Sequence, residues 1–506
     1  MRPARAATLP VVALALAGCG SDFRPREFDP TGTPAAPLGQ VVDLEISLPA
    51  LIFPGTSGRG AEIEMLLLIE DAVPGRHPAR YVFERARAAG RGAEIEDLSG
   101  GRTTVTISQK AWTTGRVGPL RIDGAVFEML LDGSPEEGGW QVAGASWESQ
   151  TGLHGTFRGW RRHRFLVAAT DYFSSGRVAE VSLVKGRELR SRDGLTTVSA
   201  DPVLRRSGRA VFAVNRLSYD DLQRLDPDRD FATAWQGGLG VGSNPQDALM
   251  LSEEKLYVTR YEPPFNDVAV ADPAGGRVHS TIPLQGLAEN GDGTPRPHAL
   301  AEAAGAVFVG LQDIDRTFTV YGEGKLAVID PQLDQVVGVV RLGGKNPGEM
   351  EVLRGEDGRE VIYVALGGVF PGLLPQELSG GVVVVDPDHR VVERVALDDD
   401  AAGGNVAALA LASARLGYVV VSDAEYVNRV VAFDPVEGEA LRVVLETRDF
   451  VPEVEVDSRG VLAVPDRSFF APRLCLYAVP ADPRGEETPL GCAALALPPV
   501  SVEALD

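Results

Sequence analysis

The chain has 506 residues, 49 basic against 71 acidic side chains, a net charge of −22, 57 glycines and three cysteines. That length calls for several domains or a repeat array, and the acidic field repels nucleic acid and anionic membrane surfaces as partners. No apolar run reaches the roughly 18 residues of a spanning helix, and the lack of Cys-x-x-Cys excludes attached c-type haem, iron–sulfur clusters and a cysteine-rich zinc site.

At the start of the chain, Arg2 and Arg5 precede an apolar stretch over 6–17 (AATLPVVALALA), followed by Leu16-Ala17-Gly18-Cys19. This order resembles a bacterial lipoprotein signal with its lipobox, which implies removal of residues 1–18 and a lipid on the Cys19 thiol. Gly20 stands where the family's inner-membrane retention signal has aspartate, so the resemblance implies an outer-membrane lipoprotein of the cell envelope, on the periplasmic side or at the cell surface. Residues 19–39 carry Pro25, Pro30, Pro34 and Pro37 among polar residues and read as an extended tether.

From 40 to 160 short β-like runs alternate with Gly and Pro: LEISLPALIF (44–53), AEIEMLLLI (61–69), TTVTISQ (103–109), FEMLLDG (127–133) and WQVAGASW (140–147). They predict a β-sandwich or barrel module, with ARYVFERARAA (79–89) as its single helix candidate. Trp112, Trp140, Trp147 and Trp160 gather in or beside this module, as core residues or as a carbohydrate surface. Arg161-Arg162-His163-Arg164 is a basic run at the following boundary, read as a junction that pairs with carboxylates, with docking of a partner as the alternative.

Beyond 161 a strand ending recurs at Leu166-Val167, Phe212-Ala213, Tyr257-Val258, Phe308-Val309, Tyr363-Val364, Tyr418-Val419 and Leu462-Ala463, with spacings of 46, 45, 51, 55, 55 and 44. Periods of that size fit one four-stranded propeller blade per repeat. Five repeats close their next strand with Asp-Pro, at 226–227, 272–273, 330–331, 386–387 and 434–435, where proline presets φ and aspartate can bond the backbone beyond. The wording KLYVTRY followed by DVAVADPAGGRVHSTIPL resembles the YVTN-type propeller family over about residues 164–483. The resemblance implies an all-β chain with a seven-bladed β-propeller over 161–483 and a closing segment over 484–506. It leaves function open, since the family spans surface-layer proteins, binding modules and a few lactonases.

Cys475 and Cys492 are the thiols left once Cys19 carries lipid. In an oxidising envelope they read as a disulfide, with two buried free thiols as the alternative.

Propeller topology puts the links between second and third strands, and the links between blades, on one face. The long segments 285–296, 310–324, 367–380 and 398–405 all fall there. Each repeat also puts an aromatic into its second-to-third-strand link: Phe173, Tyr219, Phe265, Tyr321, Phe370, Tyr426 and Phe469. Acidic neighbours accompany most of them, at Asp171, Asp220, Glu262, Asp315, Glu377, Glu425 and Asp466. Such a ring suits docking of a protein, peptide or carbohydrate; packing of each aromatic on its own loop is the other reading.

On the innermost strands Asp247, His298, Glu349 and Glu453 follow a proline and are expected near the central channel, as hydrated or paired groups, a Ca²⁺ site or an acid and base. Asp398-Asp399-Asp400 is a weaker calcium candidate without the spacing of a calcium loop. Only His163, His279, His298 and His389 lie beyond residue 160, too few for a copper centre. Trp235 is the one tryptophan inside the repeats, which disfavours a stacked quinone. No Gly-x-Ser-x-Gly elbow, His-Glu-x-x-His helix or phosphate loop is present. The sequence therefore reads as a lipid-anchored, non-enzymatic binding or scaffold propeller that needs no cofactor. A lactonase-like hydrolase or a Ca²⁺-dependent surface adhesin using the channel carboxylates are the alternatives.

Overall fold

The computed structural model describes residues 40–48, 61–69, 75–88, 101–107, 114–122, 125–134, 139–148, 156–355 and 358–505. The predicted signal, Cys19, the tether and Trp112 lie outside the described residues, and so do the side chains of Trp140, Trp147 and Trp160.

The first module is one eight-stranded antiparallel meander: β1 (Gln40–Leu48), β2 (Ala61–Ile69), β3 (Gly75–Ala88), β4 (Gly101–Ile107), β5 (Thr114–Ile122), β6 (Ala125–Ser134), β7 (Gly139–Glu148) and β8 (Thr156–Arg161). Strand β8 pairs with β1 and also runs beside β7, so the sheet curls back on itself. Of a sandwich or a barrel, a single curled sheet fits the barrel. The predicted helix over 79–89 is instead strand β3. Ala79 and Tyr81 are buried while Arg80 points out, a period of two, and backbone pairing to β2 and β4 on either side overrides the helix propensity of Ala, Arg and Glu.

Seven four-stranded sheets follow. Blade 1 holds β9 (His163–Thr170), β10 (Gly176–Val184) and β11 (Glu188–Val198). Blade 2 is β12 (Pro202–Ser207), β13 (Ala210–Asn215), β14 (Asp221–Asp226) and β15 (Ala232–Gly238). Blade 3 is β16 (Pro245–Ser252), β17 (Lys255–Arg260), β18 (Asp267–Ala271) and β19 (Val278–Pro283). Blade 4 is β20 (Pro297–Ala303), β21 (Ala306–Leu311), β22 (Lys325–Asp330) and β23 (Gln335–Arg341). Blade 5 is β24 (Pro347–Arg354), β25 (Glu360–Leu366), β26 (Gly381–Asp386) and β27 (Val391–Asp398), followed by the one-turn helix α1 (Asp399–Ala402). Blade 6 is β28 (Asn405–Ser413), β29 (Leu416–Ser422), β30 (Asn428–Asp434) and β31 (Glu439–Thr447). Blade 7 is β32 (Glu455–Val456), β33 (Val461–Asp466), β34 (Arg473–Ala478) and β35 (Thr488–Ala494).

The last strand, β36 (Pro499–Ala504), pairs with β9 and supplies the inner strand of blade 1, which closes the ring. Residues 484–506, read from sequence as one closing segment, thus divide between blades 7 and 1. The disulfide Cys475–Cys492 joins directly opposed residues of β34 and β35. It staples the outer hairpin of blade 7 and leaves closure to β36.

Middle strands such as AVFAVN (β13) and GVVVVD (β26) are buried along their whole length because a neighbouring blade covers each face. Outer strands alternate, as in QVVGVVR (β23). The core lies between blades: Phe308 and Val328 of blade 4 pack with Val364 and Val383 of blade 5, and Phe165 and Val181 of blade 1 pack with Leu474 and Leu476 of blade 7. All five Asp-Pro turns use the aspartate as expected, its Oδ1 accepting from the backbone N–H of Asp228, Ala274, Gln332, His389 or Val436 at 2.8–2.9 Å.

The basic run is the junction. Arg162 Nε donates to buried Asp43 of the first module at 3.0 Å, His163 meets Asp457 of blade 7 at 2.5 Å, and Arg164 bonds Glu180 at 2.8 Å. Among the described residues no helix is long and apolar enough to cross a membrane.

Candidate functional site: the long-loop face and the channel mouth

The four long segments open on one end of the propeller, and the opposite end carries mostly short hairpins, the nine-residue link over 479–487 being the longest among the described residues. Eight described aromatics are exposed, and all eight stand on the long-loop end: Tyr172, Phe173, Tyr219, Phe318, Tyr426, Phe450, Phe469 and Phe470. The seven aromatics read from the repeats separate into three kinds. Phe173 (88% exposed) and Phe469 (73%) are presented to solvent. Tyr219 and Tyr426 are exposed yet tie neighbouring loops together, their hydroxyls donating to Ser174 O at 2.7 Å and Pro371 O at 3.0 Å. Phe265, Tyr321 and Phe370 are half-buried in their own loops. Tyr172, Phe318, Phe450 and Phe470 (95% exposed) complete the face without having been singled out; the consecutive pairs Tyr172-Phe173 and Phe469-Phe470 on short loops were the available signal.

The acidic neighbours mostly build the loops. Asp171 Oδ1 accepts from the N–H groups of Phe173, Ser174 and Ser175 at 2.9–3.1 Å, and Ser174 Oγ donates to its other oxygen. These bonds hold the carboxyl well below its usual range, the Ser174 hydroxyl first. Asp315 does the same for Thr319 and Val320, and Asp220 for Gly242 and Asn244. Glu262 pairs with Arg296, and Glu377 with Lys345. Tyr172, Phe318 and Tyr426 sit at φ of 65°, 57° and 58°, a left-handed conformation that bulky residues rarely adopt, imposed here by the stapled loops.

In the channel, three of the four predicted residues serve the ring itself. Inner strands of neighbouring blades do not pair, so their N–H groups need other acceptors. Asp247 Oδ2 accepts from Leu300 N in the next blade at 2.7 Å, Glu349 from Leu409 N at 2.8 Å, and Glu453 from Val502 N. Ser501 repeats the device for Leu204 N at 3.0 Å. Arg205 bonds Asp247 at 2.8 Å, and its guanidinium pKa is raised by Asp247, Glu453, Glu349 and Glu503 against the cost of burial. Burial, with Glu453 second, pushes Glu349 up to about 8; burial likewise pushes Glu503 up to about 8 and Glu351 to about 7.

His298 stands apart from that pattern. It lines a cavity of about 280 Å³ at the channel mouth together with Arg216, Asn244, Gln246, Tyr261 and Gln312. Arg216 Nη2 bonds Asp201 at 2.6 Å and Tyr261 donates to Gln312 at 2.6 Å, while Arg216 Nε and His298 Nδ1 are buried without a partner. Burial, then Arg216 and Arg205, push His298 down to about 3, so its ring is neutral at physiological pH. The cavity therefore offers uncharged donors and acceptors around one paired arginine.

Among the described residues, Asp398, Asp399 and Asp400 are the one group of three or more His, Cys, Asp or Glu side chains whose ligand atoms come within 4.8 Å of one another. Asp398 caps α1 and Asp399 accepts from Gly380 N at 2.7 Å, so both already have structural partners. The channel residues Asp247, His298, Glu349 and Glu453 do not converge in this way.

No protein-family model matches the chain, and no curated protein matches it. Solved structures do. The β-propeller domain of Myceliophteria thermophila Cps50 (Swd1) is 12% identical with a TM-score of 0.43, covering 63% of this chain and 98% of that one. U3-55K is 11% identical with a TM-score of 0.42, covering 60% and 87%. A protein from Lactobacillus plantarum is 15% identical with a TM-score of 0.50, covering 68% and 100%. At these identities the likeness is one of fold alone. The sheet order, with its ring closed by the last strand, makes this chain a seven-bladed β-propeller behind a curled β-meander.

Proposed function

We propose that the protein is a non-enzymatic binding or scaffold module of the cell envelope, held by a lipid on Cys19 and built on a YVTN-type propeller that docks a macromolecular partner on its long-loop face. The observation that carries this reading is the confinement of all eight exposed described aromatics to that one end. Aromatic anchors dominate the energetics of protein interfaces, and a folded chain gains nothing by exposing them together. A hydrolase reading has less support, because Asp247, Glu349 and Glu453 are spent on backbone N–H groups between blades.

Serine at Phe173, Phe469 and Phe470 together is expected to abolish co-fractionation with an envelope partner while leaving the melting temperature within about 2 °C. Unchanged co-fractionation, or robust lactone hydrolysis by the purified chain, would remove the reading. Mass analysis of the N-terminal peptide tests the lipid on Cys19.

A further inference from the structure

At the seam between blades 7 and 1 the guanidinium of Arg467 lies 4.2 Å from the ring centroid of Tyr172 and 5.2 Å from that of Phe450. Tyr172 comes from the β9–β10 loop, Phe450 from the link between blades 6 and 7, and Arg467 from the β33–β34 loop. Three loops thus converge on one cation. Next to it in sequence, Phe469 and Phe470 meet edge to face at 5.5 Å, and both are exposed, as is Phe173 beside Tyr172.

Among the described residues Arg467 has these two rings and no hydrogen-bond or carboxylate partner. Burial without a counter-charge lowers its pKa to about 10, which still leaves it protonated at neutral pH. The other two arginines stacked on aromatics of this face are complete. Arg260, 4.4 Å from the Phe265 ring, grips Asp267 with two bonds of 2.7 Å. Arg296 lies between Tyr261 and Phe318 at 4.7 and 4.4 Å and bonds Glu262, Ile314 O and Asp315 O. In a chain of net charge −22, an arginine packed between two rings with no carboxylate is a vacant half of an ion pair.

We propose that the Tyr172–Arg467–Phe450 stack, flanked by Phe173, Phe469 and Phe470, seats a carboxylate presented by an apolar peptide segment, either an Asp or Glu side chain or a chain terminus. This rests on the face-binding reading above and narrows it to a place and a chemistry. The two rings hold the guanidinium in place, and its fork matches a carboxylate. The phenyl groups cover the flanking apolar residues and exclude water, which strengthens the ion pair. A neutral apolar partner would bury the cation unpaired, and a cationic one would be repelled.

The test is an array of apolar pentapeptides, each with a central Glu, its Gln twin, and a Gln twin with a free C-terminal carboxylate, probed with the full chain and with Arg467→Met. The expected result is a tenfold or greater preference for the carboxylate members, lost in Arg467→Met without a change in melting temperature; the Glu and free-terminus arms separate the two sources of the carboxylate. Equal binding of Glu and Gln twins, or a preference that survives Arg467→Met, would overturn the seat. If such unselective binding disappears in the Phe173→Ser, Phe469→Ser, Phe470→Ser variant, the face reading stands while the seat falls. No binding by any member would overturn the seat, and the co-fractionation experiment then decides the face reading separately.

Discussion

Arg296 and Arg467 occupy opposite parts of the same ring of loops, and each lies against two aromatic rings. Arg296 is 1% exposed, and the chain itself supplies a carboxylate and two carbonyls to its guanidinium. Arg467 receives no such partner, and the aromatics around it face solvent. The same local device therefore serves two ends: completed from within, it locks loops of blades 3 and 4; left open, it offers a charge and a set of apolar walls to another molecule. Stacking alone does not tell the two apart, whereas the presence or absence of the counter-charge does.

The largest expected effect breaks the comparison outright if it fails. Arg296→Met leaves Glu262 and two carbonyls without their donor and should cost about 3–5 kcal/mol by chemical denaturation. Arg467→Met should change stability by less than about 1 kcal/mol, because no paired group is orphaned. Equal losses at the two positions would mean that Arg467 is as structural as Arg296.

Next in size is the staple beside the seam. Cys475 and Cys492 are 17 positions apart, so a Cys475→Ser, Cys492→Ser variant should lose about 3 kcal/mol of stability by loop-closure entropy. The blade 7 hairpin should loosen first in hydrogen exchange, and peptide binding at the seam should weaken with it, while the Arg296 side keeps its protection.

The pH dependence of the channel is smaller and has two signs. Glu349, Glu351 and Glu503 hold protons in the folded chain up to about 8, 7 and 8 that the unfolded chain releases near 4.5. Their contribution is therefore full at low pH and is lost as pH rises from about 4.5 to 8. His298 is held neutral down to about 3 against an ordinary value of 6.5, so its contribution is full above 6.5 and is lost as pH falls toward 3. Because three glutamates lose their contribution above about pH 4.5 while one histidine gains, the melting temperature should peak near pH 4.5 and decline from there, and Glu349→Gln with Glu351→Gln should flatten the decline toward pH 8. A curve still rising from pH 6 to 8 would contradict this assignment.

Smallest of all, Phe173→Ser and Phe470→Ser should each shift stability by no more than about 0.5 kcal/mol, since both rings are exposed. Phe318→Ser should cost more, because its ring covers the buried Arg296.

Blade count, the Asp-Pro turns and the long-loop face were legible because each is a local pattern repeated seven or five times along the chain. Strand β3 was misread, since its Ala, Arg and Glu content favours a helix until β2 and β4 flank it. Residues 484–506 were read as one closing segment, and the division into β35 of blade 7 and β36 of blade 1 was not legible because a single inner strand carries no repeat signal of its own. Asp171, Asp220 and Asp315 were seen as rim acids, and only the hydrogen bonds show them stapling the loops that present aromatics. Arg467 left no trace in the sequence at all: the missing counter-charge is a property of three loops meeting in space. The cavity residues Arg216, Gln246 and Gln312 were missed for the same reason.

The central claim, that the long-loop face is the docking surface, is tested most directly by photo-crosslinking in the native envelope with a reactive residue at Phe470 and, as control, at Val395 on the outer strand of blade 5. The account predicts a discrete protein adduct from position 470 and none from 395, with the 470 adduct lost when Arg467→Met is added. Adducts from both positions, or from 395 alone, would contradict it.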